Sequence, residues 1–307
     1  MFNRFLLIKA DTHKNFNNIM RNFLRVLQKQ YIKLKRDRWD RFQNSARKFI
    51  VHNYQNNFKI RLYKDSYLAE EFYRNKFEPD EGQFISDFLN EGDIFIDIGA
   101  NIGLYTLMAA KKIGPNGKVY SFEPTDITYK RLLDNITINR FKNIIPVKKA
   151  LSDNNGSFEM NVSCDGFDGW NSFAKITRGS KSRTEMVETI KVDSFFNEDR
   201  IWDSVSLIKI DVEGWEKFVI LGGEEHFKRP ESPVLIIEFV DQNTRNAGYT
   251  CKELFQLLVS CGYSLYSIKD RMLETELVKD NYVYSNLVAA KNLKEIKRRL
   301  KAWDIKE

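Results

Sequence analysis

Apolar positions in the first fifty residues recur at steps of three and four, which is the spacing along one face of an α-helix. The positions are Phe16, Ile19, Met20, Phe23, Leu27, Tyr31 and Leu34. We therefore predict one long amphipathic helix at this end of the chain. Such a helix either packs on protein, on the body of the chain or on a second subunit, or lies on an anionic membrane surface.

From residue 51 onward the pattern changes to short apolar runs that alternate with helix-like segments. Residues 58–63 (FKIRLY) alternate like an exposed strand, and residues 70–89 are helix-like. Seven further apolar runs predict strands at 94–98, 118–122, 144–150, 205–210, 233–239, 263–268 and 282–290. Helices are predicted at 102–112, 127–139, 215–222 and 251–260. Strands that alternate with helices predict a mostly parallel sheet that is covered on both faces.

The positive charge of the chain is concentrated at its N-terminal end. Residues 1–50 hold 13 Lys/Arg against three Asp, a net charge of +10, whereas the whole chain of 307 residues carries +7. The remainder therefore carries −3, and the high isoelectric point belongs to this end and not to the α/β body. A nucleic-acid groove across the body is not implied, and we predict no nucleic-acid partner.

Composition is that of a globular chain, with 42% hydrophobic and 13% aromatic residues. No apolar run reaches the roughly 18 residues that a membrane-spanning helix needs, and no apolar signal segment opens the chain. The three cysteines form no Cys-x-x-Cys pair, which argues against a disulfide framework and a structural zinc site. We expect a cytoplasmic protein, and contact of residues 1–50 with the inner membrane surface or with a second copy stays open.

A glycine-bracketed turn follows the strand at 94–98, in the stretch FIDIGANIGLYT (95–106). Gly99 and Gly103 allow a sharp turn and a close approach of a ligand to the main chain, and Asn101 tolerates left-handed backbone angles. In an open parallel sheet, ligands bind at the carboxyl ends of the strands, where such a turn lies. The turn therefore predicts a ligand site.

The spacing of the turn argues against a dinucleotide. The fingerprint G-x-G-x-x-G would need glycine at 101 and 104, where Asn101 and Leu104 stand. Asp97, at the end of the strand, is a poor neighbour for a diphosphate and a good one for a cationic ligand. The ammonium and sulfonium groups of S-adenosylmethionine suit that charge.

Further polar residues follow the next two predicted strands. Glu123 ends the strand in KVYSFEP and can accept both ribose hydroxyls of an adenosyl group, as an acid does in dinucleotide folds. Ser152 and Asp153 follow the third strand and can hydrogen-bond the adenine edge. Each signal alone is weak, but three in order along one βαβαβ unit favour a cofactor site.

These residues belong to a set of segments that together resemble the FkbM family of S-adenosylmethionine-dependent methyltransferases. The segments are KFEPDEG (76–82), FIDIGANIGLYT (95–106), GKVYSFEP (117–124), NITIN (135–139), ALSD (150–153), LIKIDVEGWE (207–216), LGG (221–223) and RPESPVLIIEF (229–239). GANIG with SFEP indicates only a class I methyltransferase, whereas IKIDVEGWE indicates this family. The resemblance spans about residues 70–290.

The resemblance implies an α/β, Rossmann-like class I methyltransferase fold with a seven-stranded, mostly parallel sheet and an antiparallel last strand. We place this domain at 51–290, between the helical extension 1–50 and a basic tail 291–307. The resemblance also implies O-methylation of small molecules or glycan sugars. Matched by position, the cofactor residues are Asp97, Gly99, Asn101 and Gly103 on the methionine side, Glu123 at the ribose, Ser152 and Asp153 at the adenine, and Glu78 as a further candidate.

Charged residues where the fourth and fifth strands of this series end are the predicted acceptor site. Lys209, Asp211 and Glu213 alternate toward one side of an extended segment, and such charges are hard to bury unless they are paired. Asp211 is the first candidate for the base or substrate anchor and Glu213 the second, with Lys209 as the partner that keeps them ionised. Glu238, at the end of the next predicted strand, is expected to belong to the same cluster of charged side chains. An ion pair that orders the loop is the alternative, and without an evident oxygen-ligand cage we predict no metal.

Other assignments stay open or fit less well. A nicotinamide oxidoreductase would need the missing third glycine. Nucleic-acid methyltransferases usually carry a proline-aromatic loop or a cysteine after the fourth strand, where this chain has DVEGW (211–215). A protein methyltransferase and a non-catalytic cofactor-binding module remain alternatives. The glycine-punctuated stretch 164–175, with Trp170, is predicted to be a lid or an acceptor-binding loop.

Overall fold

The structure, a computed structural model, describes residues 25–27, 29–30, 32–164, 169, 171–174, 182–197 and 201–306. Its contacts divide the chain into two units, Met1–Ile50 and Val51–Glu307. None of the helices in the described part of the chain is long and apolar enough to cross a membrane.

The first unit contains a helix in the region where the sequence predicts one. Residues 25–27, 29–30 and 32–43 are helical, and Leu27 and Leu34 of the predicted apolar face are exposed. Near the end of this helix the rings of Trp39 and Phe42 lie 5.3 Å apart. The other predicted positions, Phe16, Ile19, Met20, Phe23 and Tyr31, lie outside the described residues.

The second unit alternates strands and helices along most of its length. Its strands are β1 (Phe49–Tyr54, which belongs to this unit from Val51), β2 (Phe58–Tyr63), β3 (Ile94–Ile98), β4 (Lys118–Phe122), β5 (Ile144–Val147), β6 (Ala150–Leu151), β7 (Gly156–Ser163), β8 (Ser182–Ile190), β9 (Val205–Ile210), β10 (Val234–Phe239), β11 (Ser264–Lys269), β12 (Met272–Thr275), β13 (Ser285–Ala290) and β14 (Asp304–Lys306). Its helices are α1 (Leu68–Arg74), α2 (Pro79–Phe88), α3 (Leu104–Ile113), α4 (Asp126–Asn139), α5 (Val192–Phe195), α6 (Glu216–Gly222), α7 (Glu224–Phe227), α8 (Asp241–Asn246), α9 (Cys251–Ser260) and α10 (Leu293–Arg299).

Nine of the described strands form one sheet in the order β14-β12-β11-β13-β10-β9-β3-β4-β5. Five neighbouring strands of this sheet, β10, β9, β3, β4 and β5, run parallel to one another. Strand β13 is antiparallel to its two neighbours, β10 and β11. All seven strands predicted for the sheet are present, and the predicted antiparallel last strand is β13. The predicted fold is thereby confirmed, with β12 and β14 as two additional strands at one edge.

The predicted strand at 144–150 is divided between two sheets. Its first part, β5, is the edge of the main sheet, whereas β6 pairs in parallel with β8 in a separate three-stranded sheet with β7. Lys148 and Lys149, between them, are outside both strands. One stretch of chain therefore contributes a strand to each of the two sheets. The two lysines stand at the point where the apolar pattern is interrupted and the first strand ends.

The central strands are buried on both faces, which explains their nearly continuous apolar sequences. All six residues of β10 are buried, as are the last four residues of β3 and of β9. Three charged residues break these apolar runs, Asp97 in β3, Lys209 in β9 and Glu238 in β10. Each lies next to the last residue of its strand, so the buried charges gather at the carboxyl edge of the sheet.

The basic segment after 291, which the sequence sets apart as a tail, forms secondary structure within the second unit. Helix α10 buries Ile296, and β14 pairs in parallel with β12. The guanidinium of Arg299 forms an ion pair with Asp93, with Nη1 2.5 Å from Oδ2. Trp303 is also buried, and its indole donates a hydrogen bond of 3.0 Å to Asp87. The segment is therefore integral to the α/β unit.

Trp303→Ala should lower the free energy of unfolding by about 3 kcal/mol, because it removes a buried ring that packs edge-on against Phe84. Urea unfolding measures this change. The exposed residue Lys301 provides the control, since Lys301→Ala should change the free energy by no more than about 0.5 kcal/mol. Equal stability of Trp303→Ala and the unmodified protein would show that the segment is a tail after all.

Candidate active site

A cleft opens at the carboxyl edge of the sheet, where the buried charges gather. Its walls include the turn after β3, the start of the loop after β4, and residues 211–213 after β9. Glu238 of β10 completes this side. The cleft is thus built from the ends of four adjacent parallel strands, the position at which open α/β sheets bind ligands.

The turn from Gly99 to Gly103 has the backbone geometry that its sequence predicts. Gly99, Asn101 and Gly103 have φ angles of 85°, 49° and 94°, in the left-handed region. A Cβ atom on Gly99 would lie 1.9 Å from the carbonyl oxygen of Asp211, so no other residue fits there. Gly99 and Asn101 line the cleft, while Gly103 stands directly before α3.

Glu123 lies on the cleft wall and is held by hydrogen bonds from its neighbours. The N–H of Asn101 donates to its Oε2 at 3.1 Å. Its Oε1 accepts from the N–H of Thr125 and from the hydroxyls of Thr125 and Thr128, at 2.5–3.1 Å. Burial raises the pKa of Glu123, and these donors oppose that rise. The carboxylate is therefore fixed in one orientation beside the glycine turn.

Asp97 lies beneath the turn and is not part of the cleft wall. Its side chain is 2% exposed and accepts a hydrogen bond of 2.6 Å from the hydroxyl of Thr106. Burial raises the pKa of Asp97 to about 6, against the opposing charge of Lys209. The structure therefore brings Asp97 to the site as a support for the turn and for Lys209, not as a wall residue.

Ser152 and Asp153 also lie off the cleft wall, which Ala150 and Leu151 form at this point. The hydroxyl of Ser152 accepts a hydrogen bond of 3.0 Å from the indole of Trp215 and donates one of 3.0 Å to Asp153. Trp215 lines the cleft, so Ser152 contributes to the cleft wall indirectly, by holding the indole ring in position.

Lys209, Asp211, Glu213 and Glu238 all line the cleft, as their spacing predicts. The ammonium of Lys209 donates a hydrogen bond of 2.5 Å to Asp211 Oδ2 and lies 4.8 Å from the ring centre of Tyr105. Burial acts to lower the pKa of Lys209, but the charges of Asp211 and nearby carboxylates outweigh it and raise the pKa. Lys209 is therefore a permanent cation.

Glu238 experiences the opposite electrostatic environment. It is 5% exposed, and burial together with the charges of Glu213 and Asp211 raises its pKa well above the usual range. Glu213 has a positive φ of 53°, and Asn243 donates a hydrogen bond of 2.7 Å to its Oε2. Three carboxyl groups thus meet beside one buried lysine.

Glu78 anchors a polar cluster on another side of the cleft. It has a φ of 38° and stands directly before α2. It accepts hydrogen bonds from the phenols of Tyr105 and Tyr284 and one of 3.2 Å from the amide of Asn286. The same amide donates a hydrogen bond of 3.0 Å to the buried carboxylate of Glu81.

Several residues of the site were not predicted from the sequence. Glu216 holds the loop after β9, since its Oε1 accepts from the N–H groups of Val212 and Gly214, each at 3.1 Å. Tyr284, directly before β13, and Asn286, within it, are polar residues two apart beside the apolar run LVAA, and this was the available signal for the Glu78 cluster. Of the predicted loop 164–175, positions 169, 171 and 173 line the cleft, and Trp170 lies outside the described residues.

The charge of the cleft wall suits a cationic ligand. Among the described residues that line it, the acidic side chains are Glu78, Glu123, Asp211, Glu213 and Glu238. Lys149 and Lys209 are the basic ones, so the formal charge is −3. A diphosphate would be repelled by this wall, whereas a sulfonium and an ammonium group would be attracted.

The sequence comparison adds a family to this geometry. Residues 97–265, more than half of the chain, match the family described as methyltransferase FkbM domain. The chain belongs to the FkbM methyltransferase family. The match runs from Asp97 in β3 to Leu265 in β11 and includes the glycine turn, Glu123 and the acidic segment after β9.

Two curated relatives match shorter stretches. The hexuronic acid methyltransferase AglP of Haloferax volcanii is 27% identical over 145 residues, which cover 47% of this chain and 56% of that protein. A tRNA(Phe) (4-demethylwyosine(37)-C(7)) aminocarboxypropyltransferase of Methanocaldococcus jannaschii is 37% identical over 65 residues, 21% of this chain and 24% of that protein. The matched stretch thus spans about half of the first relative and a quarter of the second.

Among solved structures, fibrillarin of Aeropyrum pernix with natively bound S-adenosyl-L-methionine aligns with this FkbM protein at a TM-score of 0.38. Its identity is 15%, and the alignment covers 66% of this chain and 67% of that one.

Family membership and sheet order make this a class I methyltransferase fold with S-adenosylmethionine as its cofactor. The residues present fit that molecule. A left-handed glycine turn exposes main chain, a fixed carboxylate stands beside it, and the wall is acidic.

Glu81 supplies a test of the electrostatics of the cleft. Burial and then the charge of Glu78 raise its pKa to about 6, so in the folded protein Glu81 holds its proton more tightly than in the unfolded chain. The stability that Glu81 contributes is complete below its unfolded pKa and is lost as the pH rises through about 6.

Glu81→Gln removes this titration and should therefore gain stability relative to the unmodified protein as the pH rises. Between pH 4.5 and 7.5 the difference in unfolding free energy should shift by about 1.5 kcal/mol in favour of the variant. Urea unfolding at each pH measures it, with the exposed Glu91→Gln as control. A difference that stays constant with pH would contradict the assignment.

Proposed function

We propose that this protein transfers a methyl group from S-adenosylmethionine to a hydroxyl of a sugar, either free or within a glycan. The observation that carries the proposal is the Lys209–Asp211 ion pair, which stands with Glu213 and Glu238 in the same cleft as the glycine turn. The methyltransferase family supports the reaction class. The relative that acts on a hexuronic acid supports a sugar acceptor.

In this proposal the cofactor lies along the main chain of the turn from Gly99 to Gly103, where Gly99, Asn101 and Gly103 have left-handed backbone angles. Glu123 accepts the ribose hydroxyls, which are neutral donors suited to a carboxylate that its neighbours already hold in one orientation. Glu78, which stands directly before α2 and lines the cleft, would face the ammonium group of the cofactor. Asp97 supports the turn from below, and Ser152 with Asp153 holds the indole of Trp215 at the cleft wall.

When bound, S-adenosylmethionine supplies an electrophilic methyl group on a positively charged sulfur. The protein must then orient an acceptor hydroxyl and remove its proton. Asp211 is the group for this role, because an ion pair with Lys209 holds its Oδ2 and about a fifth of its side chain is open to solvent in the cleft. Glu213 is the second candidate for the same proton.

The acceptor side of the cleft also offers an aromatic surface. Phe173 lines the cleft, and its ring centre lies 5.1 Å from that of Trp215. Ser172 connects this loop to the acidic segment, since its hydroxyl donates a hydrogen bond of 2.7 Å to the carbonyl of Glu213. Aromatic rings pack well against the apolar faces of sugars, so this pair supports a carbohydrate acceptor.

Glu123→Ala should weaken the binding of S-adenosylmethionine at least tenfold, because it removes charge-assisted hydrogen bonds to the ribose. Isothermal titration calorimetry measures the affinity, and Glu91→Ala, an exposed carboxylate away from the cleft, is the matched control. An unchanged dissociation constant in Glu123→Ala would place the ribose elsewhere.

A panel of hexuronic acids, nucleotide sugars and glycans, with release of S-adenosylhomocysteine as the readout, tests the proposed reaction. On an accepted substrate, Asp211→Asn should lower kcat by about 100-fold or more while cofactor affinity stays within about threefold. Asp304→Asn, at an exposed position of β14, should leave kcat unchanged. Turnover of Asp211→Asn equal to that of the unmodified enzyme would remove Asp211 from the mechanism, and release with none of the sugars would contradict the proposed acceptor.

A further inference from the structure

Three carboxylates of the cleft are close enough to share one ion. Asp211, Glu213 and Glu238 each offer an oxygen that lies within 4.8 Å of the oxygens of the other two. Two oxygen ligands of one hard cation, bonded at 2.0–2.6 Å, stand at most about 5 Å apart. The parallel pairing of β9 and β10 sets Ile210 level with Ile237, and thereby brings the residues that follow them together.

One of these carboxylates has a buried oxygen that lacks a partner. Oε2 of Glu238 is buried from solvent and has no hydrogen bond to any described residue. The side chain as a whole is 5% exposed. Leaving a buried carboxylate oxygen unsatisfied costs about 1–3 kcal/mol or more, so such an atom indicates a missing ligand. It belongs to the group that meets Asp211 and Glu213.

The other two carboxylates are held in position by groups that are not ligands. Lys209 binds Oδ2 of Asp211 at 2.5 Å, and Asn243 binds Oε2 of Glu213 at 2.7 Å. Each carboxylate has a second oxygen with further lone pairs. Ligands oriented by outer hydrogen bonds in this way are the usual construction of a metal site.

The charge of the group matches a divalent ion. When all three carboxyl groups are deprotonated by binding a cation, they and the ammonium of Lys209 sum to −2, which one hard divalent cation neutralises. Without such a cation, three carboxylates within one small volume repel each other. Carboxylate oxygens are the ligands preferred by Mg²⁺, Mn²⁺ and Ca²⁺.

We propose that Asp211, Glu213 and Glu238 bind one hard divalent cation of the Mg²⁺, Mn²⁺ or Ca²⁺ type. The sequence alone led to the opposite expectation of no metal, because it groups the three carboxylates but shows no evident cage of oxygen ligands. If the proposed function holds, the cation would bind the oxygen of the acceptor hydroxyl and lower its pKa, so that the proton would pass to water in the cleft, and Asp211 would act through the ion and not as the direct base.

Binding of Mn²⁺ to the chelator-treated protein tests the site without cofactor or acceptor. The electron paramagnetic resonance signal of free Mn²⁺ should fall in proportion to added protein, with about one ion bound per chain. Mg²⁺ in excess should restore the signal by displacement. Since no methyl transfer is measured, the result is independent of the proposed reaction.

Two isosteric variants locate the ion. Glu238→Gln and Asp211→Asn should each weaken Mn²⁺ binding at least about tenfold. Glu224→Gln, an exposed carboxylate on α7 that pairs with Lys228, should bind as the unmodified protein does. Circular dichroism checks that each variant is folded, and Glu213→Gln replaces either one that is not.

Two results would overturn the proposal. Absence of Mn²⁺ binding by the unmodified protein would mean that the carboxylates share a proton instead of a cation. Equal Mn²⁺ binding by the unmodified protein and by the folded cluster variants would place the ion elsewhere on the chain.

Discussion

The contact between the turn after β3 and the loop after β9 is the constraint on which the rest of the site depends. The chain passes Gly99 so close to the carbonyl of Asp211 that a side chain on Gly99 is excluded. Main-chain hydrogen bonds extend this contact, from Asp211 N–H to Ile98 and from Gly99 N–H to Phe122, both at 3.0 Å. The ends of β3, β4 and β9 are thereby fixed together. The glycine turn and the acidic segment 211–213 are therefore held in a fixed position relative to each other.

Burial of charge is the cost of this arrangement. Asp97, Lys209 and Glu238 are each at least 95% buried, where an unpaired charge is strongly destabilising. Lys209 offsets part of the cost, because it lies among carboxylates that keep it protonated. Oε2 of Glu238, by contrast, has no hydrogen-bond partner among the described residues. A buried carboxyl group that has a raised pKa and lines a cleft is typical of functional sites, and this places Glu238 among the candidate site residues.

Sequence patterns predicted the parts of the fold that depend on local periodicity and on backbone chemistry. The seven apolar runs are the seven core strands, and the glycine turn has the left-handed angles that its residues allow. Strands β7 and β8 were missed because they are polar and exposed on much of their surface, with GSFEMNVS and SRTEMVETI as their sequences. Their stability comes from pairing with each other and with β6, which no short window shows.

The site was predictable where a residue follows its strand directly, as Glu123 and Asp211 do. It was not predictable where contacts join distant segments. Glu78 meets Tyr284 and Asn286 more than 200 positions away. Ser152 follows its strand directly as well, but it does not line the cleft, and its hydroxyl accepts a hydrogen bond from Trp215, 63 positions away.

A crystal structure of the protein with S-adenosylhomocysteine tests the central claim most directly. The account predicts the adenosyl group against the main chain of Gly99 to Gly103, with both ribose hydroxyls within hydrogen-bonding distance of Glu123. Ligand density elsewhere on the protein, or at the turn but with the ribose away from Glu123, would contradict it.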